Sequence, residues 1–282
     1  MIDYLLELEE FLLVDSYRYN KQNSDDCSWI SQASASLIPE YKSFESVKHD
    51  NTILMIFQHD LINLTNIDNI IPKNSILLFL SKHVSKNKIP ALTSHFTGNF
   101  GSSNIFGGSP YEVGIAFPTF QKEYMKQLDL SMENLNKFDL TIEASHHGPT
   151  SSRNPIMFIE IGSTEDDWKN KFAAATVCKS LLNTVAKFKY DIIPTSSKIA
   201  IGLGGNHYPQ KFNDLILKSN IAFASIASKY NLENINEDML GQMKSKSVEP
   251  VTEIFLDKKG VGSERQRFVR MADSQNLIVN LI

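Results

Sequence analysis

The chain has 282 residues, 42% of them hydrophobic and 21% charged, which excludes a disordered or collagen-like polypeptide and is enough to bury a sizeable core. Lys and Arg number 28 against 32 Asp and Glu, a formal net charge of −4, so coating of long nucleic acid is excluded while a grip on one nucleic-acid end by a local patch is not. Two cysteines, Cys27 and Cys178, lie far apart in no C-x-x-C pattern, which excludes a disulfide framework and a thiolate zinc site and fits a reducing, cytoplasmic setting.

The first ten residues are acidic where a signal peptide needs a basic start, and the apolar runs fall far short of a bilayer span, so no membrane partner is expected. Residues 24–36 are small and polar and read as a surface excursion. Then come short runs that are apolar on both alternating faces, at 52–57, 75–80, 140–142, 156–159 and 198–201. Such runs are what buried strands of a covered, largely parallel sheet look like. Residues 254–256 and 277–282 read as late strands. Between them, helices are expected near 120–128, from Ser163-Thr164 through Trp168 and Phe172 to Val185, and over 213–229. In the second, hydroxyl caps precede Glu165, Asp166 and Asp167, a composition that complements a helix N-terminus. Alternating strands and helices predict an α/β fold with a largely parallel or mixed sheet covered by helices. The whole chain reads as one unit, 1–282, with room for a smaller N-terminal lobe, 1–78, docked on a catalytic part, 79–282. Residues 97–110, rich in Gly, Ser and Asn, form a long irregular loop of the kind that carries function or moves.

Polar residues follow the strands in a pattern. Ser81-Lys82-His83, Glu143-Ala144-Ser145-His146-His147, Glu160-Ile161-Gly162 and Gly202-Leu203-Gly204-Gly205-Asn206-His207 each sit where a strand ends, and His95 comes soon after the first. Ligands of open α/β sheets bind at the carboxyl ends of strands, so these groups should converge. Adjacent residues of an extended chain face opposite ways, which favours one of His146 and His147 as a metal ligand and the other as base or orienter, unless a bend at Gly148-Pro149 re-aims a ring. Glu160 ends an apolar strand, where it serves either as a buried acceptor or as a ligand or histidine orienter; Glu143 resembles it. The glycine turn fails the dinucleotide template, because His207 stands where the third glycine belongs, and instead suits amides presented to an oxyanion. H-E-x-x-H and G-x-S-x-G are both absent, so histidines and carboxylates without an activated serine or cysteine point to hydrolysis by activated water.

Those motifs, together with Pro90-Ala91-Leu92-Thr93, Gly98-Asn99, Gly148-Pro149-Thr150, Ser163-Thr164, Trp168 and Tyr208-Pro209, resemble the archaeal- and plant-type D-aminoacyl-tRNA deacylases from about Phe79 to Phe212. Ser94, Ser145 and Asn206 depart from the family pattern without removing a candidate ligand or base. The resemblance implies an α/β fold of the phosphorylase and peptidyl-tRNA hydrolase kind, zinc dependence, and hydrolysis of the ester joining a D-amino acid to tRNA, which keeps D-amino acids out of translation. From the clustering at strand ends, rather than from the resemblance, His95, His147, Glu160 and His207 are expected to hold zinc, His146 to act as base or orienter with Glu143 in support, and Lys82 to act in catalysis. Ser81, Lys86, Lys88, Thr93, Asn99, Gly204 and Gly205 are expected to bind substrate, the lysines through terminal phosphates of aminoacylated tRNA. A monomer that binds no DNA is expected. The competing readings are a zinc amidohydrolase acting on small D-amino-acid derivatives and a tRNA-end binding module without chemistry.

Overall fold

The structure, a computed structural model, describes residues 51–189 and 197–282, together with Met1, Leu5, 11–14 and 41–46. The expected surface excursion at 24–36, and Cys27 with it, lies outside the described residues. In chain order the strands are β1 (Phe11–Val14), β2 (Tyr41–Ser46), β3 (Ile53–Phe57), β4 (Leu77–Val84), β5 (Ala91–Phe96), β6 (Gly98–Asn99) and β7 (Glu112–Val113). Helix α1 (Pro118–Asp129), β8 (Asp139–Ile142), β9 (Ile156–Ser163), α2 (Glu165–Trp168), α3 (Lys171–Lys189), β10 (Lys198–Leu203) and α4 (Gln210–Lys218) follow. The chain ends with β11 (Ile221–Ala227), α5 (Glu237–Ser245), β12 (Glu253–Leu256), α6 (Lys258–Val261), α7 (Arg265–Ser274) and β13 (Ile278–Leu281).

The expected α/β architecture is what forms. One mixed sheet has the order β4-β9-β5-β8, and an all-parallel sheet has the order β11-β10-β12-β13. The segment after β8 stitches them together: Glu143 N–H donates to Ser94 O (3.0 Å), Ala144 N–H to His207 O (2.9 Å) and Ser145 N–H to Ile226 O (2.8 Å). Strands β5, β9, β11 and β12 are buried along their whole length, as strands covered on both faces are. A single apolar core runs across both sheets, from Leu92 and Phe96 to Phe223, Ile254 and Phe268. The antiparallel β1-β2-β3 sheet meets a second cluster through Tyr41, Met55 and Phe57, which pack with Phe79 and Phe158.

Three expectations change. Residues 213–229 are not one helix: α4 stops at Lys218, and 221–227 become β11. Ile-Ala-Phe-Ala-Ser-Ile-Ala is apolar on both faces, and period alone does not separate such a run from a buried helix. The helix expected from 165 onward breaks after Trp168, because Asn170 Oδ1 accepts from Ala173 N–H (2.9 Å) and caps a second helix. Strand β5 carries His95 within it rather than after it, and β4 and β9 run on through Ser81-Lys82-His83 and Glu160.

Lys122 holds the second sheet's helix in place. Fully buried on α1, its Nζ donates to Ile216 O (2.6 Å), Ser219 O (2.7 Å) and Ile221 O (2.9 Å), tying off the C-terminus of α4 where carbonyls lack helical partners. Lys122→Met keeps the volume but strands three buried carbonyls, and should destabilise the fold by about 3 kcal/mol in urea denaturation. A loss under about 1 kcal/mol would show that those carbonyls find water instead.

Candidate active site

Strand register assembles the site. Ser81 pairs with Glu160, Glu160 with Thr93 and Thr93 with Thr141, so one polar row crosses the mixed sheet on a single face. One row along, His95 faces Phe158, whose ring it stacks on at 5.2 Å and 7°. In the row beyond Glu160, His83 pairs with Gly162. A Cβ at Gly162 would lie 2.6 Å from His83 Cβ, so glycine is what lets the imidazole fold over β9 towards the carboxylates.

His95, His146 and His147 form a triad whose ring nitrogens can all lie within 4.8 Å of one another. Each has its Nδ1–H on a backbone carbonyl: His95 on Phe96 (3.1 Å), His146 on Ala144 (2.9 Å), His147 on Gly148 (2.8 Å). That fixes the tautomer and leaves three Nε2 lone pairs free. His95 Nε2 is buried without a hydrogen-bond partner among the described residues. The expectation that neighbouring His146 and His147 face apart does not hold, because His147 has φ 44° and the two ring centroids come to 4.4 Å. Burial, with repulsion from neighbouring histidines, pushes His95 well below its ordinary value. Burial takes His146 down to about 3 and lowers His147 as well. Neutral imidazoles with ring nitrogens close together are what a metal ion requires, and a buried polar nitrogen without a partner is costly unless something binds it. The donor set therefore fits a divalent metal.

Beside the triad stands a charged cluster. Glu143 Oε2 accepts from His207 Nε2–H (2.6 Å) and lies 3.8 Å from His146 Nε2, while Oε1 lies 3.2 Å from His83 Nδ1. His83 Nδ1–H donates to Glu160 Oε2 (3.3 Å), and its other nitrogen bonds the Tyr208 hydroxyl. Burial alone would lower His83, but the Glu143 and Glu160 carboxylates against its Nδ1–H outweigh it and push it up to about 11. Burial would raise Glu143, yet His207 and His83 hold it well below the carboxylate range. Burial raises Glu160, offset in part by His83. At neutral pH the cluster thus contains an ionised Glu143 and an imidazolium His83, next to three neutral histidines.

The four expected metal ligands do not share one cluster. His95 and His147 join His146, His207 joins Glu143 and His146, and Glu160 joins Glu143 and His83. Ser81 bonds Glu160, and Thr93 Oγ1 is buried in the same row without a hydrogen-bond partner among the described residues. Asn99 is structural, donating to Gly107 O (2.8 Å) and Ser109 O (3.1 Å) in the glycine-rich loop. That loop borders the triad, for Gly148 N–H donates to Phe106 O (3.0 Å) and a Cβ at Gly148 would meet Gly108 N at 2.2 Å. Gly204's amide is committed to Ala227 O (2.9 Å), and Gly205 O accepts from Lys229 N–H (2.9 Å). Lys82 is not brought to the histidines. Its strand neighbours Ser81 and His83 take the site face, so Lys82 takes the other, exposed, with Nζ 5.1 Å from the Trp168 ring centroid. Lys86 and Lys88 are exposed in the following turn, with no contact to the cluster. The sequence puts His83 with the converging strand-end groups and Tyr208 in a family motif but assigns a role to neither, although strand alternation puts His83 on the same face as Ser81.

A family model described as D-aminoacyl-tRNA deacylase matches residues 71–280, which extends the likeness to the C-terminus. A curated protein named D-aminoacyl-tRNA deacylase from Cenarchaeum symbiosum (strain A) is 37% identical over 202 residues, covering 72% of this chain and 76% of its own. A protein of the same name from Desulfurococcus amylolyticus is 33% identical over 227 residues, covering 79% and 82%. Among solved structures, a conserved protein of unknown function, AF0625, superposes with a TM-score of 0.82 at 26% identity, covering 99% of this chain and 89% of that one.

Proposed function

The chain belongs to the D-aminoacyl-tRNA deacylase family, and from that premise we propose that its histidine and carboxylate cluster hydrolyses the ester of D-aminoacyl-tRNA to free D-amino acid and tRNA. The observation that carries the reading is the triad of neutral, tautomer-fixed histidines set against an ionised, buried Glu143. His95, His146 and His147 are the ligand set, in place of the four residues expected from sequence, and zinc is the metal that three imidazoles with open positions suit best. When bound there, it supplies polarisation of the ester carbonyl and a water acidic enough to attack at neutral pH.

The remaining work falls to side chains. Glu143 takes the proton of the attacking water at Oε2, where His207 Nε2–H and His146 Nε2 converge. His207, whose side chain is 43% exposed, stands at the mouth and orients Glu143, which passes the proton it has taken on to the departing ribose oxygen. His83, anchored by Glu160 and Tyr208, keeps Glu143 ionised and fixed. The substrate belongs to the cytoplasm, where translation runs, and no helix among the described residues is long and apolar enough to cross a membrane.

The test is stereochemical. Purified protein should release tyrosine from D-tyrosyl-tRNA at least about 100-fold faster than from L-tyrosyl-tRNA, a discrimination of about 2.7 kcal/mol. Comparable rates on both would leave an esterase without the proposed role.

A further inference from the structure

Where does a protein of net charge −4 hold a polyanion? The expected lysines, Lys82, Lys86 and Lys88, are exposed, and Lys82 takes the face of β4 opposite Ser81 and His83. The parallel sheet offers another place. Strands β11, β10 and β12 are neighbours, and the segments leaving their carboxyl ends carry Lys229, Lys211 and Lys259 in turn. All three line one cavity of about 330 Å³, with Gly205, Tyr208 and Asp257. Tyr208 is shared with the site, since its hydroxyl bonds His83, so the cavity opens directly beside the catalytic cluster.

Two of the three lysines in this cleft are uncommitted. Lys211 pairs with Asp257 (2.7 Å), whereas Lys229 and Lys259 are exposed and make no ion pair among the described residues. The first turn of α4, which also lines the cavity, has no acidic residue and no side-chain cap. Next to Lys229, Tyr230 is 66% exposed, an aromatic ring with the lysine ammonium 5.0 Å from its centroid. Lysines interleaved with an exposed aromatic at a strand-end crevice are the chemistry of a single-stranded nucleic-acid groove.

We propose that this cleft seats the single-stranded acceptor end of tRNA, its phosphodiesters on Lys229 and Lys259 and an unpaired base on Tyr230. The assignment rests on the aminoacyl-tRNA reading above. It places the RNA strand on the His207 side of the site and leaves the glycine-rich loop, on the His147 side, to the aminoacyl group.

The experiment measures binding of uncharged tRNA across a salt series, which needs no turnover. With Lys229 and Lys259 both changed to Ala, affinity at 0.15 M salt should fall about tenfold and the slope of log affinity against log salt should flatten by about 1.4, at about 0.7 per phosphate. Tyr230→Ala should weaken binding about tenfold with the slope unchanged, as expected for stacking rather than charge. Melting temperatures confirm that the variants are folded. An unchanged slope in the double variant, or one flattened only by replacing Lys82, Lys86 and Lys88, overturns the cleft while the deacylase reading stands. Protection of the wild type by inorganic phosphate through the two lysines, without any loss of tRNA affinity on their removal, marks a small-anion site and overturns it too. Failure of the wild type to bind tRNA at all would instead strike at the deacylase reading itself.

Discussion

Glu143→Gln should lower the rate of D-aminoacyl-tRNA hydrolysis by a factor of about 1,000, within the range removed with a general base. Glutamine matches glutamate in shape but carries no charge. It takes no proton from water, and it leaves the His83 imidazolium with Glu160 as its one carboxylate partner. Some loss of stability is expected from that buried charge, but two hydrogen-bonded groups remain around it, so the variant should fold. Because Glu143 stands outside the proposed ligand triad, bound metal should stay at the wild-type level. Single-turnover deacylation and metal analysis on the same preparation separate these outcomes. A rate within about tenfold of wild type would reduce Glu143 to a structural anchor for His207 and His83.

Removal of the metal should have an effect at least as large. Chelation should abolish hydrolysis, and added zinc should restore it, since no other group in the cluster can activate water to the same degree. His95→Ala should abolish metal retention, lowering affinity by at least about 100-fold, because its buried Nε2 has no hydrogen-bond partner among the described residues. His207→Ala should behave differently. Its Nε2 is taken up by Glu143, so the variant should keep its metal and lose rate. Metal content tracking His207 instead of His95 would return the ligand set to the one expected from sequence. Full activity in rigorously metal-free protein would assign the reaction to Glu143 and the histidines alone.

The contrast between those ligand sets shows what sequence can and cannot reveal here. Polar residues gathered near strand ends are visible in one dimension, and that pattern alone brought His95, His146, His147, Glu143, Glu160 and His207 to one place. Which of them share a metal depends on register and on ring direction. The pairing of Glu160 with both Ser81 and Thr93, and the φ of 44° that turns His147 towards His146, leave no mark in composition or spacing. Some of what was missed was legible. In Ser81-Lys82-His83 strand alternation puts the first and third residues on one face, so choosing Ser81 for the site argued for His83 and against Lys82. The misread helix at 213–229 hid more, because the strand inside it, β11, is what places Lys229 beside Lys211 and Lys259. Gly204 illustrates a further limit: a glycine turn advertises free amides, and only the fold shows that Ala227 O already accepts one.

The most direct measurement is the rate at which one preparation deacylates D-tyrosyl-tRNA and L-tyrosyl-tRNA, wild type beside His146→Ala, the histidine that lies in the triad and faces Glu143. The wild type should hydrolyse the D-ester and spare the L-ester, and the variant should lose the D-activity by a factor of at least about 1,000. Hydrolysis of both esters alike, or a variant that retains wild-type turnover of the D-ester, would contradict a D-aminoacyl-tRNA hydrolase built on this cluster.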